Sequence, residues 1–260
     1  MGNIMTAFLL ALFAGLSTTI GGLAAFAANQ ENKKFFAVSL GFSAGVMIYV
    51  SMIEIFMKAK TALTTEMGNV LGSWVTVAAF FGGMVLIACI DRLISKEENP
   101  HELKTVDDEP KKLMQMGIFT AFSIALHNFP EGLATFVSAM QEPSVALPIV
   151  FAVAIHNIPE GIAVSVPVYQ ATGSKSKALW YSFVSGLAEP VGALAGWLVL
   201  IPIMTDTVYG MIFAAVAGIM VFISLDELLP AAMQYGEHHI SIYGMMSGMM
   251  VMAVSLLLFL

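Results

Sequence analysis

Leu126-His127-Asn128-Phe129-Pro130-Glu131-Gly132 and Ile155-His156-Asn157-Ile158-Pro159-Glu160-Gly161 are one motif, H-N-[FI]-P-E-G, written twice at an offset of 29 residues, each inside a long apolar run. On an α-helix the His and the Glu, four residues apart, share a face, and the Asn sits on its flank. The proline has no N–H to give the carbonyl one turn back, so that carbonyl is freed and the helix is expected to bend. Ionisable groups beside opened backbone are costly in hydrocarbon, and where they occur they mark a functional site.

The apolar setting extends along the chain. Of 260 residues, 58% are hydrophobic and 11% charged, with a mean hydropathy of +0.84. Soluble domains carry about 25% charged residues, so this composition defines an integral membrane protein. The net charge of −7 comes partly from acids within apolar runs. No basic cluster with interleaved aromatics points to nucleic acid, and no phosphate-binding loop points to a nucleotide. A single cysteine, Cys89, leaves no intramolecular disulfide and no thiolate-rich metal site. It reads as a small residue buried in a helix. No Lys or Arg precedes Lys33. The first apolar stretch therefore lacks the basic start of a signal peptide and is expected to remain as a span.

Eight segments are long enough to cross ~30 Å of hydrocarbon: 5–28, 35–57, 72–94, 114–140, 147–169, 178–202, 208–230 and 241–260. The sequence thus predicts an all-α integral membrane protein of eight transmembrane helices, a single transporter domain over 1–260. Its breaks fall at Asn29 to Lys34, Lys58 to Asn69, Gln141 to Pro143, Thr172 to Lys177 and Gln234 to His239, with one long loop over 95–112. Nine of the 11 basic residues lie on the side of the 1–2, 3–4 and 5–6 connections, and the other side has only Lys58 and Lys60. The positive-inside rule makes the nine-residue side cytoplasmic and puts both termini outside the inner membrane.

A second repeat agrees with that topology. Ala44-Gly45-Val46-Met47-Ile48-Tyr49-Val50-Ser51-Met52-Ile53-Glu54-Ile55 matches Ala217-Gly218-Ile219-Met220-Val221-Phe222-Ile223-Ser224-Leu225-Asp226-Glu227-Leu228 at an offset of 173. The two stretches would cross in opposite senses, the inverted-repeat build (3+2+3) of a secondary transporter. Gly15, Gly21, Gly22, Gly82 and Gly83 are small enough to let helices approach closely.

The motif offset also has a geometric meaning. Glu131 lies about nine residues before the end of its span and His156 about nine after the start of the next. At 1.5 Å per residue both are roughly 14 Å from the same face, near the midplane. Adjacent antiparallel helices would bring the His of one motif to the Glu of the other. His127, Glu131, His156 and Glu160 could then surround one divalent cation. Glu189, in Gly186-Leu187-Ala188-Glu189-Pro190, could join Asn128 and Asn157 in a second, oxygen-rich site that shares Glu131 and Glu160. Imidazole plus carboxylate without thiolate suits Zn²⁺ foremost, with Fe²⁺, Mn²⁺ and Co²⁺, and Cd²⁺ as a further candidate. The ion is substrate, and no catalytic cofactor is expected. Carboxylates gathered in low dielectric cannot all stay ionised without a cation, so the empty site is expected to hold protons that the metal displaces, and uptake to fall with pH.

HNFPEG followed by HNIPEG, then GLAEP, over eight spans, resembles the ZIP family of divalent-metal transporters, and its bacterial zinc-uptake members in particular. The resemblance covers the whole chain, including the stretch from Ala217 to Pro230. It implies metal movement toward the cytoplasm, with His127, Glu131, His156 and Glu160 as the primary site and Asn128, Asn157 and Glu189 adding a neighbouring one. It further implies homodimers and an elevator-like motion of spans 1, 4, 5 and 6 against 2, 3, 7 and 8. The 3–4 loop of many members is rich in His; here it has only His101, which argues against a sensor role for it.

Glu54, near the outer end of span 2, and Asp226 with Glu227, near the inner end of span 7, could draw cations at entrance and exit. His238 and His239, on the 7–8 connection, could receive released metal. A zinc-dependent intramembrane hydrolase would use the same ligand types, but no H-E-x-x-H is present. A metal-gated cation channel would share the site without saturating.

Overall fold

In this computed structural model, residues 2–27, 33–94, 110–141, 143–200, 205–235 and 238–258 are described. They form eight helices and no strand. These are α1 (Gly2–Ala27), α2 (33–67), α3 (Asn69–Ile94), α4 (Pro110–Gln141), α5 (Pro143–Thr172), α6 (175–200), α7 (206–235) and α8 (His238–Leu258). Among the described residues, six stretches are long and apolar enough to cross a membrane: Ile4–Phe26, Lys33–Met67, Asn69–Arg92, Lys175–Val199, Asp206–Gln234 and His238–Leu257. The protein is an all-α, multi-pass membrane protein. Its outer helices carry the mark of lipid contact: Val70, Leu71, Trp74, Phe81 and Val85 on α3 are all exposed, a pattern water would oppose.

Three boundaries differ from expectation. The Lys58-to-Asn69 break is helix: α2 continues through Phe56–Met67 and ends only at Gly68, whose φ of 79° suits glycine. Ala59, Ala62 and Leu63 favour a helix there, and the hydroxyls of Thr61, Thr64 and Thr65 bond carbonyls one turn back instead of competing for a turn. The 95–112 loop is shorter at its far end, because α4 begins at Pro110, where a proline costs no intrahelical bond; residues 95–109, including His101, lie outside the described residues. His238 and His239 open α8 instead of belonging to a loop. Cys89 is exposed on α3, not buried, because it lies on the outer face with Val85 and Leu86.

The helices pack as two groups of four. α1 lies along α5, α5 along α4, and α4 against the second half of α6, while α2 lies along α8 and α3 along α7. The glycines reveal the rule behind this arrangement, since each allows a helix-to-backbone approach that a Cβ would block. Gly15 and Gly186 meet each other's carbonyls. Gly21 meets the Ile158 carbonyl and Gly192 that of Phe129; Gly161 meets Thr18 and Gly132 meets Glu189; Gly45 meets Met245 and Gly218 meets Phe80; Gly248 meets Phe42 and Gly83 meets Ala215. Every pair is converted into the other by exchanging α1 with α6 (offset 171), α2 with α7 (173), α3 with α8 (165) and α4 with α5 (29). The molecule is pseudo-twofold. Gly82 alone of the five glycines singled out in the sequence faces open space.

The local backbone of α2 and α7 obeys the same symmetry. A π-helical stretch occupies Val50–Ile55 in α2 and Ser224–Leu228 in α7, at equivalent positions of the repeat. Within them Ser51 donates to the Met47 carbonyl at 2.6 Å and Ser224 to the Met220 carbonyl at 2.7 Å. Back-bonding of this kind disturbs the regular ladder.

Candidate metal centre

The two motifs lie within α4 and α5, which run helically through Pro130 and Pro159. The motif glycines are accounted for by packing: Gly132 seats α4 on α6 at Glu189, and Gly161 seats α5 on α1 at Thr18. α6 breaks at Leu187 and restarts at Ala188–Ala195, so Glu189 and Pro190 fall in the first turn of a new helical segment. Pro190 is tolerated there because the early N–H groups have no intrahelical partner in any case. Asn128, His156, Asn157, Glu160 and Glu189 are fully buried, and Glu131 nearly so.

The asparagines are held by their amino groups. Asn157 Nδ2 donates to the Ala14 carbonyl of α1 at 3.0 Å, and Asn128 Nδ2 donates to the Ser185 carbonyl of α6 at 3.2 Å. Ala14 and Ser185 are equivalent under the 171-residue offset, so the bonds are a symmetric pair. Each leaves its Oδ1 without a hydrogen-bond partner in the interior, as is Glu189 Oε2. Buried acceptors are ordinarily satisfied; three unsatisfied oxygens on facing helices are the donor set a hard or borderline cation takes.

His156 is the second element. Its Nε2 lies 3.0 and 3.1 Å from the two carboxylate oxygens of Glu131, so the cross-motif contact of the antiparallel arrangement is present. Two ligands each about 2.05 Å from a tetrahedral Zn²⁺ would be about 3.3 Å apart. An ion could replace the shared proton with a shift of only a few tenths of an ångström. Asn157 Nδ2 also hydrogen-bonds Glu189 Oε1.

Among the described residues no group of three or more His, Cys, Asp or Glu already surrounds one point. The described ligand candidates instead form the pairs Glu131–His156 and Asn157–Glu189, with Glu160 beside α2. His127 is on α4 one turn before Glu131, and its side chain lies outside the described residues.

Sequence reasoning missed Ser43. Buried on α2, it donates to the His156 carbonyl at 3.2 Å and lies 3.5 Å from Glu160 Oε1, joining the two helix groups at the site itself. No motif surrounds it; only its spacing from Met47 and Glu54 puts it on the same face of α2. The entrance and exit candidates stand apart from the centre. Glu54 pairs with Lys58 at 2.6 Å and lines an open cavity of about 690 Å³ with Glu66, Ser138, Asp206 and Tyr209. Glu227 is buried and Asp226 partly so, in the π-helical stretch of α7. His238 and His239 are exposed, their rings 5.7 Å apart.

A pseudo-twofold bundle of membrane helices with buried imidazole, carboxylate and amide oxygens at its centre belongs, by architecture, among the secondary transporters. The family described as ZIP Zinc transporter matches residues 93–256. The zinc transporter ZupT of Streptococcus mutans is 68% identical over 260 residues, covering 99% of this chain and 98% of its own length. Those of Lysinibacillus sphaericus and Clostridium perfringens are 60% and 57% identical, over 99% and 100% of this chain and 98% of theirs. The chain belongs to the ZIP zinc transporter family. It is a transporter and not an enzyme, which removes the hydrolase reading.

Proposed function

We propose that this protein carries Zn²⁺, and with it Fe²⁺, Mn²⁺, Co²⁺ or Cd²⁺, across the inner membrane into the cytoplasm through a site built from His127, Asn128, Glu131, His156, Asn157, Glu160 and Glu189. The observation that carries this reading is the set of partnerless buried oxygens, on Asn128, Asn157 and Glu189, beside the Glu131–His156 pair. A merely structural polar cluster would have closed these hydrogen bonds on itself.

The two helix groups support elevator-type alternating access. All candidate ligands belong to α1, α4, α5 and α6 or lie on their shared surfaces, and α2, α3, α7 and α8 form the frame against which they slide. The pseudo-twofold supports an inverted repeat of all eight helices, since helices paired across an odd number of crossings run oppositely. Both termini then lie outside, and the Glu54 cavity faces the outside as the entrance. Asp226 and Glu227 serve the exit, with His238 and His239 beyond it, and the working unit is a homodimer. Protons and metal compete for the same oxygens, so uptake falls as pH falls.

The deciding experiment places purified protein in liposomes holding a zinc-sensitive dye and compares wild type with Glu131→Ala. Saturable influx that the substitution abolishes is expected. Stoichiometric zinc binding without influx from either would assign the site to sensing instead.

A further inference from the structure

Against the Glu131–His156 pair lies a small cavity of about 20 Å³, lined by Val50, Ile55, Glu131, Thr135, His156 and Val216 among others. That is room for one water molecule, which needs two to four polar partners to reside there. Thr135, one turn beyond Glu131 on α4, is fully buried, and its hydroxyl has no hydrogen-bond partner. This is not how threonines in these helices usually behave: Thr61, Thr64, Thr65, Thr76 and Thr172 all turn their hydroxyls onto the carbonyl four residues back. Among the described threonines only Thr18, Thr19 and Thr135 are buried and unbonded, and Thr135 shares its cavity with two ligand candidates.

The pseudo-twofold shows why the hydroxyl is there. Ser43 gives Glu160 a hydroxyl from α2. Its counterpart, 173 residues on, is Val216, which lines the small cavity and offers Glu131 nothing polar. Thr135 corresponds to Val164 at the 29-residue offset, so the lost hydroxyl on one helix is matched by a gained one on another, across a gap the size of a water.

We infer that Thr135 is a further substrate-positioning residue: its hydroxyl anchors one water molecule against Glu131 and His156, and the bound ion keeps that water as a ligand. An ion arriving from the large cavity, past Ser138 one turn further along α4, would thus give up its hydration shell except for this one molecule. The inference rests on the site reading above.

The test compares wild type, Thr135→Val, Thr135→Ser and Glu131→Ala in the dye-loaded liposomes, alongside zinc affinity and metal-free melting temperature of the purified proteins. Thr135→Val keeps the shape and removes only the hydroxyl. It is expected to raise KM and weaken zinc affinity by about three- to tenfold, with Vmax within about twofold. The metal-free melting temperature should be little changed, because valine keeps the packing and no protein-to-protein hydrogen bond is lost. Thr135→Ser should restore KM. A KM unchanged in Thr135→Val while Glu131→Ala is dead overturns the inference and leaves the site standing. A lowered melting temperature with KM and Vmax both impaired, unrescued by serine, overturns it in favour of a packing role. Wild-type transport by Glu131→Ala would overturn the site reading and this inference together. If Thr135→Val does not assemble, the serine variant's KM and the zinc affinity of Thr135→Ala decide in the same way.

Discussion

One continuous apolar core runs through the α2/α3/α7/α8 group, from Leu40, Val46 and Met47 through Phe80 and Ile87 to Phe213, Met220 and Met252, and takes in Ala134 and Val137 of α4 at its edge. In the α1/α4/α5/α6 group the apolar clusters are small, separate and rich in alanine, such as Ala7, Ala11, Phe136, Ala139 and Ala193, or Ala14, Val150 and Val153. Between them are buried Asn128, Glu131, Thr135, His156, Asn157, Glu160 and Glu189, whereas the only buried carboxylate among the described residues of the first group is Glu227. One group is held by a core that tolerates no rearrangement without loss of contact. Close glycine approaches occur in both groups, but in the other the donors are kept in place by the asparagine bonds to α1 and α6. The comparison teaches that the two groups differ in chemistry as well as in packing: among the described residues Ser43 links α2 to α5, and Ser138 of α4 and Tyr209 of α7 line one cavity.

The largest expected effect comes from joining the groups. In a Cys89→Ala background, a short thiol cross-linker bridging Ser138→Cys and Tyr209→Cys should stop uptake and a reductant should restore it. The same treatment of Phe56→Cys and Phe80→Cys, whose rings are 5.4 Å apart within one group, should leave uptake intact. Full activity in the first cross-linked pair would break the frame-and-carrier distinction. A smaller effect should separate the interiors: Glu189→Gln is expected to weaken zinc affinity by about tenfold or more, by the scale of lost supporting ligands. Met220→Leu, conserving volume in the apolar core, should change uptake by less than about twofold. Equal sensitivity by calorimetry and flux would erase the contrast. Smallest of all, Ser43→Ala should alter Vmax by about two- to fivefold, one hydrogen bond's worth, with KM nearly constant; a KM change of that size instead would make Ser43 a binding residue.

Much of this was legible in the chain. The H-N-x-P-E-G pair announced itself because identical chemistry at a fixed offset cannot hide in apolar sequence, and the α2/α7 repeat was readable because its Ser and Glu recur. The α1/α6 relation was not, although Gly15-Leu16 and Gly186-Leu187 align: Thr18 occupies the position of Glu189, and the conserved element is a glycine's backbone contact, which leaves little trace in residue type. The α3/α8 relation shows in sequence as little more than Gly83-Met84 against Gly248-Met249, a match that apolar helices make by chance. The Lys58-to-Asn69 stretch misled because lysines and threonines read as a loop, while helix propensity and back-bonding continued α2 to Gly68.

By itself, the sequence determined that the protein lives in a membrane and which ionisable residues stand in apolar surroundings, because hydropathy and charge are properties of residue type. Only the tertiary structure decided that His156 meets Glu131, that asparagine amino groups bind Ala14 and Ser185 and leave their oxygens without a hydrogen-bond partner, and that Ser43 lies against Glu160 and Thr135 beside Glu131. Those outcomes depend on how each helix is rotated about its axis, which is set by glycine contacts with helices far away in the chain.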